Sequence, residues 1–359
     1  MKNIIKTLIV MLTSISLFST ANAGELGVSG TAKATYNIQS GQSSAGKGLG
    51  ITNELNFTAT GELDNGYTWS YSMELDPGAT AAATDTTATD TQSAQNDDTK
   101  LTLTTPYGTV GVFISEGGLD VEDAASQSVY GRPTDIGDAS SGTGDNYTID
   151  AYNNIQLHTP AGLLPFDMQI KLAHAPDLEA YGSGNNTGST QTRSATDLGR
   201  SATEYQVKLT PFEGAKIGAS YMEFQESGIA KEAQTGESGA AFVTYARGPI
   251  SVGFSHALKA PQTGDNDQTS TTNVEFYEQN NYSIAYSVND DISVSYELEK
   301  DEANWNNDAN NTTQRSQAIQ AAYTMGGMTI ALSRGEIDDA GWVAAKEVKQ
   351  TLIAVTMAF

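Results

Sequence analysis

The stretch Val348-Lys349-Gln350-Thr351-Leu352-Ile353-Ala354-Val355-Thr356-Met357-Ala358-Phe359 reads as one extended strand. Successive side chains of a strand point to opposite faces. Ile353, Val355, Met357 and Phe359 therefore share one face. Gln350, Ala354, Thr356 and Ala358 share the other, with Leu352 out of pattern. An apolar stripe backed by a small or polar stripe suits a strand between lipid and a wet interior, as in a membrane-spanning β-barrel.

The same two-residue period recurs along the chain. Residues 26–36 alternate Leu26, Val28, Gly30, Ala32, Ala34 and Tyr36 against polar neighbours. Residues 51–63 and 67–75 flank Asp64-Asn65-Gly66, a hairpin signal. Further strand pairs flank short turns at Pro106-Tyr107-Gly108 (99–105 and 109–115), Pro160-Ala161-Gly162 (147–159 and 166–175) and Pro211-Phe212-Glu213-Gly214 (203–210 and 215–224). Three more flank Gly248-Pro249 (239–247 and 250–258), Asn289-Asp290-Asp291 (275–288 and 292–299) and Gly326-Gly327 (315–325 and 328–336), and 347–359 closes the series. The pattern predicts an all-β, antiparallel, up-and-down transmembrane barrel of about 16 strands, with short turns at one end and long loops at the other. Tyr36, Tyr67, Tyr107, Tyr147, Phe212, Tyr245 and Phe359 fall near strand ends, where amphipathic rings suit a lipid–water interface.

The amino-terminal segment reads as export machinery. Lys2 and Lys6 precede a short apolar run, and Ala21-Asn22-Ala23 offers a small-x-small cleavage site. Residues 1–23 are expected to be a signal peptide and 24–359 the barrel. No later run of 18 apolar residues exists to make a membrane helix. The formal net charge of −24 repels nucleic acid, and the absence of cysteine excludes disulfides and thiolate metal sites. A hydrophobic fraction of 38% is low for a soluble chain of 359 residues but suits a barrel with a watery interior.

The chain resembles the trimeric general diffusion porins of Gram-negative bacteria. The likeness lies in Gly24-Glu25-Leu26-Gly27-Val28-Ser29-Gly30-Thr31-Ala32, in Thr105-Pro106-Tyr107-Gly108-Thr109-Val110-Gly111, and in Thr356-Met357-Ala358-Phe359. It implies sixteen strands, a homotrimer and a third outer loop folded into the pore. It also implies contact with outer-membrane lipid and lipopolysaccharide, and a terminal Phe359 read by the barrel-assembly machinery.

The third loop, about 116–146, carries Glu116, Asp120, Glu122, Asp123, Asp135, Asp138 and Asp145, with Arg132 its only basic residue. Long loops are uncommon unless functional. Folded inward, Glu116, Asp120, Glu122 and Asp123 would narrow the path and favour cations. The resemblance implies basic wall residues facing that loop. Lys33, Lys171 and Lys208 lie in the polar phase, and Lys100 lies near a strand start. Glu54, Glu74 and Glu297 share the inward phase, and the wall is poor in Arg, which leans selectivity towards cations.

Other signals carry less. The run from Ala79 to Asp90 reads as a flexible polar second loop, one that in the family can reach over a neighbouring subunit. Asp265-Asn266-Asp267 and Asn306-Asn307-Asp308 offer oxygens to Ca2+ but lack the EF-hand spacing, and read as solvated turns. Gly41 to Gly48 lacks the Ser or Thr that a phosphate loop places after its Lys. His158, His174 and His256 form no local triad or zinc pattern. The expectation is a non-enzymatic outer-membrane channel without a cofactor, passing small hydrophilic solutes and ions. A solute-specific channel and a secreted β-rich adhesion protein are the alternatives.

Overall fold

The computed structural model describes residues 24–41, 46–77, 94–135, 145–176, 201–225, 234–261 and 274–359. The expected signal segment (residues 1–23), the Ala79–Asp90 run, Asp138 and Asp265–Asp267 lie outside these residues. Sixteen strands run in chain order: β1 (Leu26–Gly41), β2 (Gly46–Glu62), β3 (Thr68–Pro77), β4 (Ala94–Thr105), β5 (Gly108–Ile114), β6 (Asn154–His158), β7 (Gln169–Ala175) and β8 (Ser201–Leu209), then β9 (Ala215–Gln225), β10 (Glu237–Arg247), β11 (Ile250–Ala260), β12 (Val274–Ser287), β13 (Ile292–Trp305), β14 (Thr312–Met325), β15 (Met328–Asp338) and β16 (Val348–Ala358). Each pairs with its sequence neighbour, and β1 pairs with β16 to close the barrel.

The seam explains the closing strand. Its register runs from Thr31 opposite Ala358 to Gly41 opposite Val348. Past the strand, Gly30 and Phe359 exchange backbone hydrogen bonds of 2.8 and 3.0 Å. The Phe359 ring covers Gly30, where a Cβ would meet ring carbons at 2.8 Å. Closure leaves no free sheet edge, so all strand backbone groups can pair within the wall.

The two faces separate as the alternation predicts. Ile353 and Met357 point outward, while Ala354 and Gln350 are buried inside. The same outward stripe continues through Tyr282, Ile284 and Tyr286 on β12 and Ile330 and Leu332 on β15. Inside, the buried wall is polar: Ser295, Glu297, Glu299 and Asp301 on β13, and Gln314, Ser316 and Gln320 on β14. Leu352, the misfit of the sequence pattern, joins Ala318, Ala331 and Ala354 beneath Tyr130 of the third loop.

Several boundaries differ from expectation: β1, β2, β4 and β13 reach further towards the long-loop end than the alternation predicts, to Gly41, Gly46, Ala94 and Trp305, and two others move for reasons the structure shows. The predicted strand 147–159 shrinks to Asn154–His158, because residues 145–153 turn inward as the returning leg of the third loop. Tyr147 therefore packs inside, edge-on to Phe224 with ring centroids 4.8 Å apart, rather than at a lipid interface. The predicted start at 166 moves to Gln169, because Pro165–Asp167 form a 3-10 turn. Phe212 and Tyr245 do meet at the short-turn rim, with centroids 6.0 Å apart.

Candidate functional site

The third long connection leaves β5 at Ser115 and turns into the barrel. Ser115 and Gly117 adopt positive φ of 51° and 85° at this exit. Glu116, between them, accepts from Lys100 on the adjoining β4 in a salt bridge. The loop then crosses the inner wall. Leu119 and Ile149 pack on Ala173, Ala175 and Ala202. Val121 and Ala125 pack on Ala240, Phe242 and Ala257. Small wall residues make this close approach possible. At Gly253 on β11 the contact admits nothing larger, since a Cβ would sit 1.7 Å from the Ala125 carbonyl oxygen. Burying Leu119, Val121 and Ile149 contributes about 1.5–3 kcal/mol each.

A loop lying inside a wall must satisfy its own backbone. Here wall side chains do so. Gln206 donates to the Leu119 carbonyl at 2.6 Å, Ser255 to that of Glu122 at 2.8 Å, and Ser283 to that of Ala125 at 2.6 Å. Glu204 accepts the Ile149 N–H at 2.8 Å, and Gln320 accepts the Tyr130 N–H at 3.0 Å. Glu297 accepts from Ser126 at 2.6 Å and also from Ser128.

The most charged anchor centres on Arg132. Its Nε donates to Glu299 at 2.5 Å, its Nη2 to Asp145 at 2.9 Å, and its Nη1 to Asp123. Thr134 adds a 2.6 Å bond to Glu299. Arg132 and Glu122 were expected to face the lumen; both are buried. Glu122 accepts the Asn146 N–H at 2.9 Å, tying the outgoing leg to the returning one. Burial pushes the Glu122 carboxyl up to about 8, with Asp120 adding to the rise, so near neutral pH it contributes little negative field. Burial also raises Asp150, again with Asp120 adding.

The remaining predicted residues divide into two groups. Lys100, Lys171 and Lys208 lie on inward faces of β4, β7 and β8. Lys171 is within electrostatic reach of Lys100 and Lys208. Lys208 in turn feels Asp120 of the loop and Lys216 of β9. Three predicted lysines therefore gather with a fourth, Lys216. Lys33 stands apart on β1, opposite Thr356 and Thr52.

Sequence reading missed Lys216, Lys259, Glu204, Glu299 and Asp301. Lys216, Glu204 and Glu299 were visible as inward-phase positions. Asp301 and Lys259 fell just beyond predicted strand ends. Lys259 sits 4.8 Å from the centroid of the Tyr147 ring. Of the two Asn/Asp turns raised as Ca2+ sites, Asn306–Asp308 is described, and Asn307 spends its side-chain oxygen on the Ala309 N–H at 3.2 Å.

The arrangement is a hollow barrel narrowed by a strapped internal loop, with lysines on the wall beside it. A family model for Gram-negative porins matches residues 10–359. Among solved structures, Salmonella typhi OmpF in complex with daunomycin aligns with a TM-score of 0.66 at 10% identity, covering 94% of this chain and 98% of that one. The outer membrane channel DcaP of Acinetobacter baumannii aligns at 0.64 and 10% identity, covering 95% and 99%. A mutant Rh. blastica porin aligns at 0.56 and 14% identity, covering 93% and 100%. At these identities the likeness speaks to fold alone. No curated protein sequence matches the chain significantly. With the family model spanning nearly its whole length, the chain belongs to the Gram-negative porin family.

Proposed function

We propose that this porin is a water-filled channel for passive diffusion of small hydrophilic solutes and ions across the outer membrane, with a preference for cations. The observation that carries the reading is the third loop held inside a barrel of sixteen strands, a size that leaves an aqueous lumen. Asp120 on that loop opposes Lys208 on the wall, which supports a transverse field across the passage. The excess of 43 acidic over 19 basic residues supports the cation preference. The chain needs no bound cofactor for this role. Homotrimer formation, export by residues 1–23 and recognition of Phe359 by assembly machinery belong to the same reading. Contact with lipopolysaccharide is supported by Lys300, Arg315 and Arg334, exposed beyond the outward apolar stripe of β13–β15.

Conductance in planar bilayers under a KCl gradient tests it. Stable steps in groups of three with a cation-selective reversal potential are expected. Folded, inserted protein that does not conduct would overturn the channel, and anion selectivity would overturn the charge argument. The gathering of Lys100, Lys171, Lys208 and Lys216 favours a second reading, a channel specific for an anionic solute. That reading predicts that a dicarboxylate added to one side interrupts the current at concentrations where a neutral sugar does not.

A further inference from the structure

Beneath the docked loop, towards the short-turn end, the inner wall carries a cavity of about 240 Å3. The loop lies above it. Gln206 on β8 holds the Leu119 carbonyl, and Lys208 is the next inward position below Gln206. Phe242 on β10 packs with Val121 and Ala125 of the loop. Its ring lies across Gly218 of β9, where a Cβ would meet a ring carbon at 2.4 Å and the Lys208 Cγ at 3.0 Å. The β6–β7 turn closes the cavity from below. There Phe166 and Asp167 hold positive φ of 61° and 50°, and the Phe166 carbonyl accepts the Thr210 N–H at 2.7 Å. Residues other than glycine keep such a backbone only where their surroundings fix it, so this floor is firmly set.

Four residues with donor side chains line this cavity: Gln169, Lys208, Thr210 and Lys216. Gln169 on β7 stands directly across from Lys208. Lys208 stands across from Gly218, which makes Lys216 its diagonal neighbour at about 7–8 Å between backbones. Two ammoniums on flexible stems can thus reach one solute. Lys171 adds to their field from β7. Acids share the neighbourhood: Asp167 lines the floor, and Asp120 reaches Lys208 electrostatically from the loop. Among the described residues, however, no carboxylate lies within 4.0 Å of the Lys171, Lys208 or Lys216 ammonium. Lys100, by contrast, is already paired with Glu116.

We propose that this cavity is a subsite for a compact dianionic solute, a dicarboxylate or a phosphate monoester, held by Lys208 and Lys216 with Gln169 and Thr210 donating to its remaining oxygens. The inference rests on the channel reading and gives the anion-specific reading a definite place, on the short-turn side of the loop. No guanidinium fork is among the donors. Ammonium, amide and hydroxyl groups act as point-like donors, so the subsite selects charge rather than planarity. Its volume is below the roughly 300–1,000 Å3 of sites for drug-sized ligands, which excludes bulky anions. The cavity is a bay in the wall beside the ion path, so it holds an anion without making the conductance anion-selective.

The test is single-channel recording of the full-length folded protein in planar bilayers, with succinate, glycerol phosphate, propionate or sucrose added. The dianions should interrupt the current at concentrations where propionate and sucrose do not. The dianion with the longer blocked time identifies the preferred group. Lys216→Gln should shorten that time about fivefold, the occupancy that one unit charge at about 4 Å is worth in water. Gly218→Ala displaces Phe242 and Lys208 without changing charge, and should shorten it as well. Lys346→Gln, which removes one charge from the β15–β16 loop, should not. Should Gly218→Ala fail to insert, Gln169→Leu supplies the uncharged variant. Interruption that Lys216→Gln and Gln169→Leu both leave unchanged would overturn the subsite and leave the anion-specific reading standing. Equal interruption by propionate would overturn the dianion assignment. A conducting wild-type channel that neither dianion interrupts would overturn the subsite and the anion-specific reading together, while folded protein that does not conduct would overturn the channel itself.

Discussion

Arg132 and Glu299, 167 residues apart in sequence, are joined by a 2.5 Å hydrogen bond on the inside of the barrel, and both are buried. The pair pins the far end of the third loop to β13. Removing one partner of a buried ion pair leaves the other charge unpaired, which costs about 3–5 kcal/mol. Arg132→Gln is therefore expected to undock the loop over residues 126–134 and leave the barrel closed. Single-channel recordings should show larger, noisier conductance with the strand signature in circular dichroism unchanged. Wild-type conductance and noise would show that Arg132 does not hold the constriction.

The contact at Gly253 is steric, so its test is independent of charge. Gly253→Ala forces the Ala125 carbonyl away from a Cβ built at 1.7 Å. Overpacking of this kind costs about 1–3 kcal/mol. Gly335→Ala on β15 is the control, because its added carbon meets nothing closer than 3.7 Å. Faster hydrogen exchange at residues 121–128 is expected for the first and not for the second. Equal exchange in both variants would refute the close loop–wall approach.

The barrel was legible in the sequence because each strand carries its own evidence. Alternation of Tyr67, Trp69, Tyr71 and Met73 is a local signal, and so is the Asp64-Asn65-Gly66 turn that precedes it. Which carboxylates face water was not legible. Asp120 and Glu122 look alike in sequence, yet Glu122 is buried and Asp120 is only partly covered. That difference is set by wall residues far along the chain: Ser126 meets Glu297 across 171 positions. The start of β6 was lost for the same reason. Tyr147 and Ile149 alternate like a strand, but Ser238 on β10 and Glu204 on β8 draw them into the loop. Leu352 was the one visible clue, an apolar residue in a polar phase, and its partner Tyr130 lies on the docked loop.

Acidity should strengthen the returning leg. Burial raises the Asp150 carboxyl above its ordinary value, so the folded protein binds this proton more tightly than the unfolded chain does. A group raised in this way contributes stability that is fully present below its unfolded value near 3.9 and is lost as pH rises through the folded one. Asp150→Asn removes the titration and mimics the protonated form. Its melting temperature should approach that of wild type at acid pH and exceed it at pH 8. A variant less stable than wild type at pH 8 would show that the ionised carboxylate is the form the fold prefers.

The facing charges of Asp120 and Lys208 give the selectivity test its sharpest form. Lys208 stands on the inward face of β8 with Lys171 and Lys216 for neighbours, and Asp120 is the loop carboxylate within its electrostatic reach. Unit charges 4 Å apart in water interact by about 1 kcal/mol, which corresponds to roughly fivefold in an ion's local occupancy. Lys208→Glu should therefore shift the reversal potential towards stronger cation selectivity by at most a several-fold change in permeability ratio. Asp120→Lys should shift it the opposite way. Screening predicts that both shifts shrink between 0.1 and 1 M KCl, where the Debye length falls from about 10 to 3 Å. Shifts in the same direction for both variants, or none at low salt, would mean that neither residue lines the ion path. Because Glu122 is buried and its carboxyl raised, Glu122→Gln should leave the reversal potential at neutral pH nearly unchanged. That contrast separates the carboxylates that set the field from those that hold the loop.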